Sequence, residues 1–177
     1  MEMIERETVD PDVAAWYQSK SSLGTQFRGL SVINHDREIH GLIRATGSVR
    51  LLDYGCGLGH QYTEQQLHKR WGVPMPTLYD PGVAGLDTKP QGRFDGVICS
   101  DVLEHVPEEL VDNVIAELFD YAERFLWASV CCRPAKKFFD PDTRTRNLHL
   151  TVQPQKWWVD RFFRAANGRR HFLVFTP

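Results

Sequence analysis

The spacing of apolar residues changes along the chain, and the changes mark out its elements. Val13–Lys20 and His35–Ala45 repeat with a helical period. In the second, Ile39, Leu42 and Ile43 share one face and Asn34 stands where a capping side chain belongs. The period then shortens. Val49–Tyr54 reads as a buried strand, Thr63–Trp71 as a helix ended by Gly72 and Pro74, and Thr77–Tyr79 and Phe94–Ser100 as two further strands. Pro107–Tyr121 predicts a helix with Pro107 in its first turn and Leu110, Val114, Ile115 and Leu118 on its buried stripe. Arg124–Cys132 follows as a strand, Pro154–Ala166 as a helix packing through Trp158, Val159 and Phe162, and Arg170–Phe175 as the last strand. Strands alternating with helices imply crossover connections. The predicted fold is therefore α/β, a doubly wound, mostly parallel sheet with helices on both faces. Ligands of such sheets lie at the carboxyl ends of the strands.

Composition narrows the class without naming a chemistry. The chain has 177 residues, 42% apolar and 25% charged, enough for one domain to bury roughly two thirds of its unfolded surface. The acidic start "MEMIERETVD" is unlike a signal or transit peptide, and no apolar run nears the roughly 20 residues of a membrane span. Cys56, Cys99, Cys131 and Cys132 form no CxxC pair and lie in or beside strand-like runs, where cysteine acts as a small hydrophobe. A reduced, cytoplasmic protein is expected. The net charge of −2 hides a skew: Met1–Val130 holds 11 basic residues against 20 acidic ones, and Cys131–Pro177 holds 10 against three. That is a solvated face or an attractor for an anionic partner.

The stretch "RLLDYGCGLGHQY", Arg50–Tyr62, puts three glycines directly behind the first strand. Such a turn lets a ligand touch bare backbone. The dinucleotide fingerprint G-x-G-x-x-G would want glycine at position 60, which is His60. The spacing D-x-G-x-G-x-G, with Asp53 leading Gly55, Gly57 and Gly59, instead resembles motif I of the class I S-adenosylmethionine-dependent methyltransferases. Two further stretches carry the resemblance, "TLYDPG" with Asp80 and "FDGVICSDVLEHV"; the three together cover Val49–Val106.

The resemblance implies a Rossmann-like methyltransferase fold and S-adenosylmethionine as cofactor. Asp80 would take both ribose hydroxyls, and Cys56, Pro81, Ser100, Asp101 and Val102 would join the glycines around the cofactor. Asp53 would either touch it or only orient the glycine loop. Only 13 residues, Pro81–Arg93, separate Asp80 from the third strand. A loop is therefore expected where the family has a helix and strand, with Leu86 or Asp87 covering the adenine. The C-terminus is short as well, with one strand. The expected division is a helical cover over 1–46, a cofactor-binding half over 47–130 and an acceptor-side segment over 131–177.

Methyl transfer needs in-line positioning and, for a protonated acceptor, a base. Asp101, Glu104 and His105 follow the third strand and His149 lies in "RNLHLTVQPQKWW". Asp101 can instead hold the cofactor's amino group, and the other three can serve as helix-opening or loop residues. The four together resemble the metal-binding arrangement of small-RNA terminal 2′-O-methyltransferases. "DVLEHV" also resembles the form found in metal-free small-molecule O-methyltransferases, and catalysis without a metal is expected. Arg133, Arg144 and Arg146, with Lys136 and Lys137, are expected to border the pocket and receive an anionic acceptor. Trp157, amid Lys156, Arg161 and Arg164, offers a stacking surface. The expected reaction is methyl transfer to an oxygen of a small anionic or nucleotide-like molecule. A metal-dependent RNA 2′-O-methyltransferase and a noncatalytic cofactor-binding module serving a partner protein are the alternatives. No nucleic-acid-binding module is recognisable, no membrane contact is expected, and nothing in the sequence indicates an oligomeric state.

Overall fold

The computed structural model describes residues 6–22 and 27–176. The first five residues of the acidic N-terminal stretch and the last residue of the acceptor-side segment lie outside the described residues. Five strands, β1 (Leu51–Tyr54), β2 (Thr77–Tyr79), β3 (Phe94–Ser100), β4 (Ala122–Cys131) and β5 (His171–Thr176), form one sheet in the order β2-β1-β3-β4-β5. Every pairing is parallel.

Side-chain alternation along the strands divides the core into two layers. Helices α5 (Glu108–Tyr121) and α6 (Gln155–Ala166) cover one face, where Val114, Leu118, Trp158 and Phe162 pack with Leu52, Val97, Cys99 and Leu126. The other face meets α2 (Asp36–Thr46) and the pair α3 (His60–Thr63) and α4 (Leu67–Trp71). There Ile39, Ile43, Tyr62 and Trp71 pack with Leu51, Ile98, Phe125 and Trp127. All four residues of β1 are buried because both faces are covered. The connection from β2 to β3 contains neither helix nor strand, as its length predicts.

Local details depart from the sequence reading for identifiable reasons. Strand β1 starts at Leu51, since the Val49 and Arg50 amides donate to Asp95 Oδ2 at 2.7 and 2.9 Å rather than to the sheet. The helix expected over Thr63–Trp71 is two short pieces, broken where Gln66 takes a φ of 53°. Strand β4 begins at Ala122, straight off the end of α5. Asn34 lies inside a 3-10 turn, Ser31–His35, and caps nothing; His35 precedes α2. On α6 the buried stripe is Trp158, Phe162 and Ala166, and Val159 falls off it to 46% exposure.

Helix α1 (Pro11–Ser21) is capped by Asp10, whose Oδ1 accepts from the Asp12 and Val13 amides at 2.9 and 3.0 Å. It lies across the carboxyl ends of three strands and bonds to the segment after each. Gln18 Nε2 donates to Pro81 O at 3.0 Å, Tyr17 Oη lies 2.8 Å from His105 Nδ1, and Trp16 Nε1 donates to Phe139 O at 3.0 Å. Among the described residues no helix is long and apolar enough to cross a membrane.

Candidate functional site

The turn after β1 is bare because its neighbours crowd it. Gly55, Gly57 and Gly59 have φ of 78°, 56° and 66°, in the left-handed region that favours glycine. A Cβ on Gly55 would strike Val102, one on Gly57 the Phe27 carbonyl, and one on Gly59 would come within 2.7 Å of Leu78 Cδ1.

Every amide of the turn already has an acceptor. Gly55 and Cys56 donate to Tyr79 O, Gly57 to Asp80 Oδ2, Leu58 to Phe27 O, Gly59 to Cys56 O, and His60 and Gln61 to Arg28 O and Gly29 O, at 2.7 to 3.2 Å. Tyr62 and Thr63 donate back to Gly59 O. A pyrophosphate held at a helix N-terminus needs free N–H donors, and α3 has none to offer. The turn suits close approach by a ligand that makes its hydrogen bonds elsewhere.

Asp80 is where such bonds can form. Its Oδ2 accepts from the Gly57 amide at 2.7 Å and its Oδ1 from the Gly82 amide at 2.8 Å. Each oxygen keeps a second lone-pair direction for a ligand hydroxyl. Burial raises the Asp80 carboxyl above its ordinary range, against the pull of the two amides. Asp53 does not face the cavity. It is 1% exposed, accepts from Gln61 Nε2 at 2.6 Å, and Gln61 Oε1 in turn accepts from the Val32 amide. It therefore braces the turn against the 27–35 segment, and burial pushes its carboxyl up to about 7.

A cavity of about 290 Å³ opens over these groups. Gly55, Gly57, Asp80, Pro81, Ser100, Asp101, Val102 and His105 line it from the strand side, and Val13, Tyr17 and Phe27 from the cover. A second cavity of about 540 Å³ is bounded by Asp101, Glu104, His105, Cys131 and His149, so Asp101 and His105 form the wall between the two. Asp101 sits at the end of β3 with a φ of 54°, and its Oδ1 accepts from Ser129 Oγ at 2.9 Å and Thr176 Oγ1 at 3.2 Å. A strained backbone held this firmly is typical of a functional strand end.

Behind that wall three polar side chains converge. His105 Nδ1 lies 2.9 Å from Leu148 O and His149 Nδ1 2.5 Å from Arg133 O, and the two rings stand perpendicular with centroids 4.8 Å apart. Glu104 is fully buried; its Oε1 accepts from the Cys131 amide at 3.0 Å and its Oε2 has no hydrogen-bond partner. Burial pushes the Glu104 carboxyl up to about 8 and the His105 imidazole down to about 4. Ligand atoms of Glu104, His105 and His149 all lie within 4.8 Å of one another.

The residues expected at the site do not all reach it. Cys56 and Gly59 are buried within the turn and do not line the cavity. Leu86 and Asp87 stay outside it as well, because Leu86 O folds back onto the Asp80 amide and Asp87 braces the Gly85 amide. Pro81, Gly82 and Val83 occupy that wall. Arg133, Arg144 and Arg146 are exposed and line neither cavity; the guanidinium carbons of Arg144 and Arg146 lie 4.7 Å from the ring centroids of Phe138 and Phe139. Trp157 also lines neither, its ring being covered by Arg161 at 3.3 Å. Sequence reasoning missed Tyr17, Phe27 and Gly29, whose roles depend on contacts distant in the chain. A family model described as a methyltransferase domain matches residues 35–162. No curated protein matches the chain.

Proposed function

Because the chain belongs to the methyltransferase-domain family, we propose that it moves the methyl group of S-adenosylmethionine to an oxygen of a small anionic acceptor. Two cavities that share Asp101 and His105 as a common wall carry this reading. The cofactor's chemistry is an activated methyl on a sulfonium. Around it, the two free lone-pair directions of Asp80 match the adjacent hydroxyls of a ribose, and the crowded glycine turn admits a nucleoside while offering nothing to a pyrophosphate. Asp101 and Ser100 would hold the methionine end.

The acceptor would sit in the second cavity with its hydroxyl toward His149, whose Nε2 would take the hydroxyl proton while Nδ1 stays bonded to Arg133 O. Bound S-adenosylmethionine would supply its methyl group to that oxygen, the electron pair of the S–CH3 bond staying on sulfur as a neutral thioether. Enclosure by α1 keeps water from competing. An anionic acceptor suits the basic loop between β4 and α6, which abuts the cover where Lys137 Nζ lies 5.8 Å from the Phe27 ring centroid. The sequence has no CxxC pair, which suits a reducing compartment, and we place the reaction in the cytoplasm.

Calorimetric titration with S-adenosylmethionine and with NAD tests the cofactor. Tight binding of the first and none of the second is expected. Tighter binding of NAD, or no binding of S-adenosylmethionine, overturns the reading.

A further inference from the structure

We propose that the outer edge of β5 pairs antiparallel with β5 of a second copy of this chain, giving a two-fold dimer whose two sheets run on as one. Dimer formation does not depend on the methyl-transfer reading above.

An unpaired strand edge is a template for another strand, and proteins blunt it with short length, proline, charge or a bulge. The edge at β2 is blunted, being three residues long with Pro74 and Pro76 just before it. The edge at β5 is not. His171–Thr176 is six residues long, holds no proline and no acidic, Lys or Arg side chain, and pairs with β4 in unbroken register. Among the described residues no strand lies on its outer side, and all six of its residues are half-buried.

The backbone of β5 fixes how a second copy can add to it. The Arg170 carbonyl accepts from the Leu126 amide at 3.3 Å, and in a parallel ladder every second residue turns the same way. Phe172, Val174 and Thr176 therefore bond to β4, while His171, Leu173 and Phe175 aim both N–H and C=O outward. A two-fold axis through Leu173 sets Leu173 against its own counterpart and His171 against Phe175 of the second copy. In an antiparallel sheet each such pair exchanges two hydrogen bonds. Centring the axis on any other residue loses at least one of these pairs.

The side chains fit the same register. An axis perpendicular to the sheet keeps like faces together, so Leu173 and Phe175 extend the layer under α5 and α6, and Phe172 meets Val174 of the second copy on the α2 face. Helix α6 adds an apolar flank. Arg161 on one side of it reaches Asp112 of α5 at 3.0 Å, so Val159 and Phe163, on the opposite side, overhang the β5 edge. Phe163 is 75% exposed. Beside an open strand edge such an aromatic is part of an interaction patch, and the two-fold brings both flanks toward each other.

Charge favours a second copy over an arbitrary strand. By strand alternation the exposed Arg170 shares the α2 face with Phe172, at the amino end of β5. Glu38 lies at the other end of that face. Helix α2 begins beside the second cavity, which His35 lines, and Asp36 turns toward Trp71 and Arg70 of α4, leaving Glu38 on the flank toward β5. The antiparallel two-fold carries Arg170 of each copy to the Glu38 end of the other, which fixes orientation. Pairing also braces the second cavity, since Phe175 and Thr176 line it and Thr176 Oγ1 donates to Asp101 Oδ1.

A strand edge about 20 Å long with one helix flank is at the small end of specific interfaces, so a dimer Kd of about 1 to 100 µM is expected. Sedimentation velocity of the untagged 177-residue chain, from well below to well above that range, should show reversible association to twice the mass of one chain. Phe163→Lys should weaken the dimer at least tenfold and leave the Tm of the dilute protein unchanged. Arg170→Glu should weaken it severalfold, and adding Glu38→Arg should restore it. Raising the protein concentration should slow hydrogen exchange at the amides of His171, Leu173 and Phe175 far more than at those of Phe172, Val174 and Thr176, which already bond to β4. A chain that stays monomeric throughout, a dimer whose affinity survives Phe163→Lys, or association that leaves those three amides unprotected overturns the proposal.

Discussion

Replacing Asp80 by Asn tests the cofactor pocket with little change of shape. The carboxylate accepts from the Gly57 amide through one oxygen and from the Gly82 amide through the other, at 2.7 and 2.8 Å. An amide side chain has one acceptor oxygen, and its NH2 must face one of those two N–H donors. One backbone bond is therefore lost, and one ribose hydroxyl loses a charged acceptor. A hydrogen bond to a charged group contributes about 1.5 to 3 kcal/mol, which corresponds to a rise in Kd of roughly 10- to 150-fold. The lost amide bond lowers folding stability separately, by on the order of 1 to 3 kcal/mol. Calorimetry with S-adenosylmethionine gives the first number and urea unfolding the second. A donor analogue lacking the ribose hydroxyls separates the two roles, since removing the hydroxyls should weaken binding in the wild type much more than in the variant. Lowering the pH should also weaken the wild type toward the variant's affinity, because burial raises this carboxyl and protonation removes the same acceptor. An unchanged Kd in a variant that is measurably less stable would mean that Asp80 only braces the turn and that the ribose lies elsewhere.

Three further outcomes are expected. Gly29→Ala should lower stability by roughly 1 to 3 kcal/mol or more in urea unfolding, because a Cβ there would strike the Cys56 carbonyl at a φ of 68°; a neutral result would mean that the 27–31 segment does not clamp the glycine turn. The folded protein keeps the Asp53 proton up to about pH 7, against an ordinary value of 3.8, so this group's contribution is present below about pH 4 and is lost as pH rises to about 7. Asp53→Asn should flatten that slope, by a few kcal/mol across the window, and superimposable stability profiles would refute the assignment. Arg144→Ala combined with Arg146→Ala, outside both cavities, removes charge from the basic loop without removing a cavity contact, so at low salt the acceptor KM should rise severalfold through lost attraction, the effect should fade as salt is added, and S-adenosylmethionine affinity should stay unchanged; unaltered KM at low salt would make the loop a solvated face.

The parallel sheet, the glycine turn, the position of Asp80 at the end of β2 and the loop from Pro81 to Arg93 were legible in the sequence. Each is written in a few consecutive residues: hydrophobic period decides strand against helix, and a turn of alternating glycines announces backbone with positive φ and no room for a Cβ. Tertiary structure decided which of the chemically suggestive residues meet. Asp53 lies one residue before the end of β1 and Asp80 directly follows β2, yet one turns into the core against Gln61 and the other faces the cavity. Arg144 and Arg146 carry the right charge but lie over Phe138 and Phe139, outside both cavities. Tyr17 and Gly29 gave no local signal because their neighbours are His105 and Cys56. Glu104, His105 and His149 become one cluster only when the β4-to-α6 loop folds back onto the end of β3, tied by Thr151 to Glu104 and by Leu148 to His105. Periodicity reports the face on which a residue lies, whereas convergence depends on the path of a long loop, and that path is set by side-chain-to-backbone bonds between residues far apart in the chain.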